Sequence, residues 1–238
     1  MFTLKLSSKD TSEYRIIFIH GWGNTHLNML QLANLFERQT ENYVIDLVGN
    51  GKSPPLEKAY GSDDYANDVL CFMKELPTKK TIIVGHSNGG RVAIKLANKA
   101  NVDGIVLIGG AGIPPQYNLC FKIRLFLTKK LKFLKKIFPF LTKFIGSAEY
   151  VNTSGFARET FKKLVGEDLR EDAKRVKIPT LLIYGTHDTA TPVYMGETYK
   201  SLIKNSQLEI IAGANHFDLV TNNSKIVHNY ITRYMREL

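Results

Sequence analysis

This 238-residue chain is short of cysteine, of acidic relative to basic residues, and of long apolar runs. Its two cysteines, Cys71 and Cys120, lie far apart with no paired spacing, which excludes a disulfide framework and a cysteine-ligated metal. Both sit in apolar stretches and are expected to be buried free thiols. No uncharged apolar run reaches the ~18 residues of a spanning helix. Met1–Asp10 lacks the ~7–15-residue apolar core of a secretory signal. The expectation is a cytoplasmic globular protein, long enough for one domain or for one domain with an insertion. Acids are outnumbered 22 to 32 by Lys and Arg, for a net charge of +10. The deficit is local: from Gly104 to Ala148 there is no Asp or Glu.

What is present is a series of short apolar runs, each ending in glycine or polar residues. Arg15–His20 leads into Gly21-Trp22-Gly23, and Tyr43–Leu47 into Val48-Gly49-Asn50-Gly51. Thr81–Gly85 precedes His86-Ser87-Asn88-Gly89-Gly90, and Gly104–Ile108 precedes Gly109-Gly110. Thr180–Tyr184 runs into Gly185-Thr186-His187-Asp188, and Leu208–Ala212 into Gly213-Ala214-Asn215-His216. Runs rich in Ile and Val that do not alternate read as strands buried on both faces of a parallel sheet. Helical periodicity fills the gaps at His26–Glu37, Asp63–Glu75, Asn88–Lys99, Val193–Lys204 and Asp218–Arg236. The fold class is therefore α/β, a doubly wound, mostly parallel sheet. Chemistry in such sheets gathers beyond the carboxyl ends of the strands, and those ends hold His20-Gly21-Trp22, Ser87, Asp188 and His216.

Gly85-His86-Ser87-Asn88-Gly89 has the form G-x-S-x-G between a strand and a helix, the context that gives that pattern meaning. A tight turn lifts the serine hydroxyl off the sheet, and glycines two residues to either side remove side chains that would collide. Gly90 allows close helix–strand packing. The helix start aims N–H groups and a positive dipole end at the reacting centre. A serine hydroxyl needs a base within reach. Of six histidines, His20 and His86 adjoin strand ends and read as turn braces, His26 and His228 fall on helices, and His187 adjoins an aspartate. His216, in a glycine-containing loop after the last strand, is the best-placed base. Asp188, after the preceding strand, is the acid that can hold its tautomer; Asp46 and Asp218 are the rivals.

Taken together, His20-Gly21-Trp22-Gly23, Asp46–Ser53, Gly85–Gly90, Gly185–Asp188 and Gly213–Phe217 resemble the α/β-hydrolase superfamily, in its branch of small bacterial serine esterase-like proteins with an HGWG signature. The chain order Ser87, Asp188, His216 is that superfamily's own order. The resemblance implies a serine hydrolase with no metal or organic cofactor, most simply a carboxylesterase acting on a small-molecule ester. It also implies an oxyanion hole from the backbone N–H groups of Trp22 and Asn88. Serine at position 87 excludes the relatives whose nucleophile is aspartate. Thioesterases, C–C bond hydrolases, acyltransferases, cofactor-free haloperoxidases and membrane-surface lipases share the serine triad, whereas non-catalytic small-molecule binders of the fold usually lack one of its three residues, all of which are present here. Such proteins usually open with a two-stranded hairpin, whereas only Phe2–Leu6 reads as a strand here, which implies a shortened sheet edge. The Asp46–Ser53 turn reads as structural.

Residues 112–177 break the alternation, and they read as a helical cap inserted into a core formed by 1–111 and 178–238. Within the insertion Lys122, Arg124, Lys129, Lys130, Lys132, Lys135, Lys136 and Lys143 carry 8 of the +10 charge excess. At about 100° per residue, Ile123, Phe126, Leu127, Leu131, Phe133, Leu134, Ile137 and Phe138 share one arc, and Pro139 ends or kinks the helix. Three readings follow: a cap with its lysines in solvent, adsorption of 122–143 on an anionic membrane surface, or steering of an anionic acyl substrate. Nucleic acid is not expected, because the cations are confined to this segment without aromatic platforms. Oligomeric state is not written in the sequence.

Overall fold

The computed structural model of the protein describes residues 1–6, 12–116 and 154–238. Among these residues seven strands form one sheet: β1 (Phe2–Leu6), β2 (Tyr14–Ile19), β3 (Glu41–Asp46), β4 (Lys80–His86), β5 (Gly104–Ile108), β6 (Thr180–Gly185) and β7 (Ser206–Ile211). Their order is β1-β3-β2-β4-β5-β6-β7. β1 runs antiparallel to β3, and all other neighbours are parallel. Helices α1 (Leu27–Asn34), α2 (Ser62–Lys74), α3 (Asn88–Ala97), α4 (Gly155–Gly166), α5 (Arg170–Arg175), α6 (Val193–Leu202) and α7 (Ser224–Met235) supply the crossovers and the sheet's covering.

Successive strand residues point to opposite faces, and here both faces are covered. Ile17, Ile19, Ile83, Ile105, Leu107, Leu182 and Tyr184 pack with α2, α3, α5 and α6 in one core layer. Their neighbours Ile16, Phe18, Ile82, Val84, Val106, Ile108, Leu181 and Ile183 pack with α1 and α7 in the other. That double burial is why the runs are continuous rather than alternating. β7 departs from this, as befits an edge: Gln207 and Ile210 are exposed.

Register places the chemistry. Ile19 pairs with Gly85, Gly85 with Leu107 and Leu107 with Leu182, so the loops beginning at His20, Ser87, Gly109 and Thr186 leave the sheet on one rim. The opposite rim is held by charge. Glu41, buried at the start of β3, accepts from Arg15 and Lys5 at 3.0 Å, Lys79 at 3.2 Å and the Tyr43 hydroxyl at 2.9 Å.

Two expectations need correction. Cys71 is exposed rather than buried: the apolar stripe of α2 is Tyr65, Ala66 and Val69, and Cys71 falls outside it. The last helix begins at Ser224, not Asp218. In the intervening turn Asp218 and Asn222 bond each other, and Thr221 Oγ1 donates to Phe217 O; short polar side chains thus satisfy the backbone locally and delay helix entry. Of the proposed insertion, 154–177 contributes α4 and α5, while Cys120 and the basic stretch Lys122–Lys143 lie outside the described residues. No helix of the described residues is long and apolar enough to cross a membrane.

Candidate active site

Between β4 and α3 the chain turns through Ser87 at φ 53°, ψ −112°. Among the described residues it is the only non-glycine with positive φ, a conformation that stores roughly 1–3 kcal/mol. The surroundings enforce it. A Cβ on Gly85 would strike the Gly89 carbonyl, a Cβ on Gly89 the Ile19 carbonyl, and a Cβ on Gly90 would come within 2.8 Å of Gly110 Cα. Ser87 N–H donates to Ile108 O, and Ser87 O accepts from Gly90 and Ala111 N–H, each at 3.0 Å. The serine is therefore pinned on both sides while its side chain opens into a cavity of about 430 Å³, within the usual range for small-molecule sites.

Asp188 lies in the loop between β6 and α6 and is almost wholly buried. Its Oδ1 accepts the N–H groups of Ala190 and Thr191 at 2.9 and 2.8 Å. Its Oδ2 accepts the Thr191 hydroxyl at 2.8 Å and His216 Nδ1 at 2.6 Å. Burial alone would raise this carboxyl, but the His216 bond and the Thr191 donors outweigh it and hold the group below its ordinary value. An ionised acceptor fixes the proton of His216 on Nδ1, leaving Nε2 as the basic nitrogen. The Thr191 hydroxyl oxygen also sits 3.1 Å from that Nδ1. Gly109, at φ +51°, lies against the pair: an added Cβ would stand 3.1 Å from Asp188 Oδ2 and 3.3 Å from His216 Nδ1.

His216, Ser87, Trp22 and Asn88 all line the same cavity. Asn88 is the first residue of α3, where N–H groups have no intrahelical acceptor. Trp22 packs at a tilt against Phe161 of α4 with ring centroids 5.6 Å apart, which closes one wall.

The rival residues have other duties. Asp46 accepts the His26 N–H and ring nitrogen and the Lys52 N–H, bracing the Asp46–Ser53 turn. Asp218 caps Asn215 N–H at 3.2 Å. His20 donates from Nδ1 to Gly21 O at 2.7 Å and accepts Leu47 N–H on Nε2 at 3.1 Å. His86 donates from Nε2 to the carbonyl of His216 at 3.0 Å, and the two rings lie 4.6 Å apart. Burial, with the field of His216 added, pushes His86 down to about 3, so it stays neutral beside the base. Thr191 goes unread in the sequence, and Gly109 reads there only as a strand end, since neither belongs to a motif that announces a place beside the acid–base pair. Among the described residues no group of three or more His, Cys, Asp or Glu could hold a metal ion.

Residues 14–137 and 147–223 match the family described as alpha/beta hydrolase fold. The chain is 29% identical over 241 residues to AB hydrolase superfamily protein YisY of Bacillus subtilis, covering 89% of this chain and 88% of that one. It is 24% identical to the pimeloyl-[acyl-carrier protein] methyl ester esterase of Wigglesworthia glossinidia brevipalpis, covering 92% and 94% of the two chains. The crystal structure of a lipase-esterase related protein from Clostridium acetobutylicum superposes with a TM-score of 0.75 at 21% identity, over 98% of both chains. A sheet of this order, a strained serine on the turn after β4 and an aspartate–histidine pair on the same rim thus coincide with a match across most of the sequence: the chain belongs to the alpha/beta hydrolase fold family.

Proposed function

We propose that the protein is a serine hydrolase that cleaves carboxylic esters of small or medium acyl chains through Ser87, His216 and Asp188. The observation that carries the reading is the 2.6 Å bond from His216 Nδ1 to Asp188 Oδ2 beside a serine held at positive φ in the same cavity. Ser87 Oγ attacks the ester carbonyl while His216 Nε2 takes its proton. The tetrahedral oxyanion is met by the Trp22 and Asn88 N–H groups, the kind of donor whose loss costs about 3–4 kcal/mol. The imidazolium, stabilised by Asp188, protonates the leaving alcohol; water then repeats the cycle on the acyl-enzyme and frees the acid. The chemistry needs no metal or organic cofactor. The relative named as a methyl ester esterase favours an ester substrate. Turnover of p-nitrophenyl esters of graded chain length tests the reading: Ser87→Ala should lower kcat at least ~10³-fold, and wild-type turnover by that variant would end it.

A second reading, a lipase working on membrane or emulsion surfaces through an inserted basic cap, is favoured by the acid-free sequence around 122–143 and by Val165 and Phe217, cavity-wall residues about half exposed. Binding to anionic vesicles at low salt, with faster turnover of emulsified than of dissolved ester, separates it from the first.

A further inference from the structure

Among the described residues, three polar atoms on α3 have nothing to bond. The Asn88 side chain is 4% exposed, yet neither its Oδ1 nor its Nδ2 meets a partner, and Arg91 Nη1 is likewise buried without one. Both residues line the cavity that holds Ser87 and His216. Three apart on one helix, they share a face, and at ~1.5 Å of rise per residue Arg91 stands roughly 6 Å of helix beyond Ser87. Burial pushes the Arg91 guanidinium below its ordinary value, and the fields of Tyr199 and Glu167 offset this only in part. One oxygen of Glu167, Oε1, accepts Ser62 N–H at 2.8 Å, and among the described residues its Oε2 is itself buried without a partner. Among the described residues that wall the cavity there is no Asp or Glu.

A cation withdrawn from water without a partner is costly, and an uncommitted carboxamide beside it compounds the cost. One ligand chemistry answers both. A carboxylate is acceptor-only and planar, matching the fork of an arginine, with a lone pair left for an amide N–H. We propose that Arg91 and the Asn88 side chain form an anion subsite that selects esters carrying a second, free carboxylate a few atoms from the scissile carbonyl. This rests on the serine-hydrolase reading for its substrate but not for its ligand, because the subsite holds a carboxylate whether or not Ser87 reacts. The rival arrangement is an internal pair, with Glu167 swinging onto Arg91.

The test compares ethyl hydrogen adipate with ethyl hexanoate on the full chain, alongside calorimetric titration with adipate. Wild type should favour the hemiester at least tenfold in kcat/KM. Arg91→Met should lower that ratio ~30-fold, the scale of one lost charge-assisted hydrogen bond, and Arg91→Lys should restore part of it. Adipate should bind wild type, and at least tenfold more weakly to Arg91→Met and to Asn88→Leu. An unchanged ratio in Arg91→Met overturns the subsite. So does adipate that binds Glu167→Gln but not wild type, which would assign Arg91 to the internal pair. Adipate binding without turnover of either ester leaves the subsite standing and fells the hydrolase reading; ethyl hexanoate turnover with no preference and no adipate binding does the reverse.

Discussion

Replacing Gly109 by alanine probes the Asp188–His216 contact without touching either residue. Two costs follow from the geometry. At φ +51° an L side chain is strained, by about 1–2 kcal/mol; for a chain of this size that lowers Tm by roughly 2–8 °C. The new methyl would also stand 2.9 Å from Thr191 Oγ1, 3.1 Å from Asp188 Oδ2 and 3.3 Å from His216 Nδ1. The acid, the base or the hydroxyl between them must give by tenths of an ångström, and misplacement approaching 1 Å is worth up to ~10²-fold in rate. Gly213 is the control: its φ is +74° and nothing lies within 4 Å of an added Cβ, so Gly213→Ala carries the strain alone. Scanning calorimetry and ester kinetics on both variants separate the costs. Gly109→Ala should lose about tenfold or more in kcat with KM little changed, whereas Gly213→Ala should lose stability with kcat within about threefold of wild type. Equal kcat in the two variants would refute the claim that the acid–base contact is both tight and rate-bearing.

The far rim offers a pure stability test. Burial works against the ionised form of Glu41, but Lys5, Tyr43, Lys79 and Arg15 together hold it at about 2. Glu41→Gln leaves Arg15 buried and unpaired, and should cost roughly 3–5 kcal/mol in urea unfolding at pH 7; a loss under 1 kcal/mol contradicts the role. Because that folded value lies below the ordinary one, the contribution is complete above about pH 4.5, is lost as pH falls through about 2, and should be missing from the acid limb of the variant. His86 gives the third window. Folded, it titrates near 3 rather than 6.5, so between those values the unfolded chain binds a proton that the folded chain refuses, and stability falls as pH falls. His86→Gln should flatten the dependence of unfolding free energy by up to ~1.4 kcal/mol per pH unit between pH 4 and 6; an unchanged slope shows that His86 titrates normally in the fold.

Much of the architecture was legible because burial on both faces leaves a clear mark. Ile16–Ile19 and Ile82–Val84 could only be strands with two covered sides, and the glycines after them marked the rim. The edge strand β7 reads in sequence as another core strand because its Leu208, Ile210 and Ile211 are apolar, although only its ends, Ser206 and Ile211, are buried. Single-residue detail was out of reach. Nothing in the order of amino acids says that Thr191, three residues past Asp188, folds back to share its carboxylate, or that Gly109 rather than Gly110 takes the left-handed turn. His86 could be guessed as a turn brace, but its hydrogen bond to the His216 carbonyl spans 130 residues. Arg91 belongs to no motif, and only the structure shows that its Nη1 is buried at the cavity wall.

The most direct measurement is covalent: incubation with a fluorophosphonate probe, followed by peptide mapping by mass spectrometry. The account predicts one adduct, on the peptide containing Ser87, forming far more slowly in His216→Gln and absent from Ser87→Ala. An intact Ser87 peptide after prolonged exposure, or an adduct on another side chain at comparable rate, contradicts it.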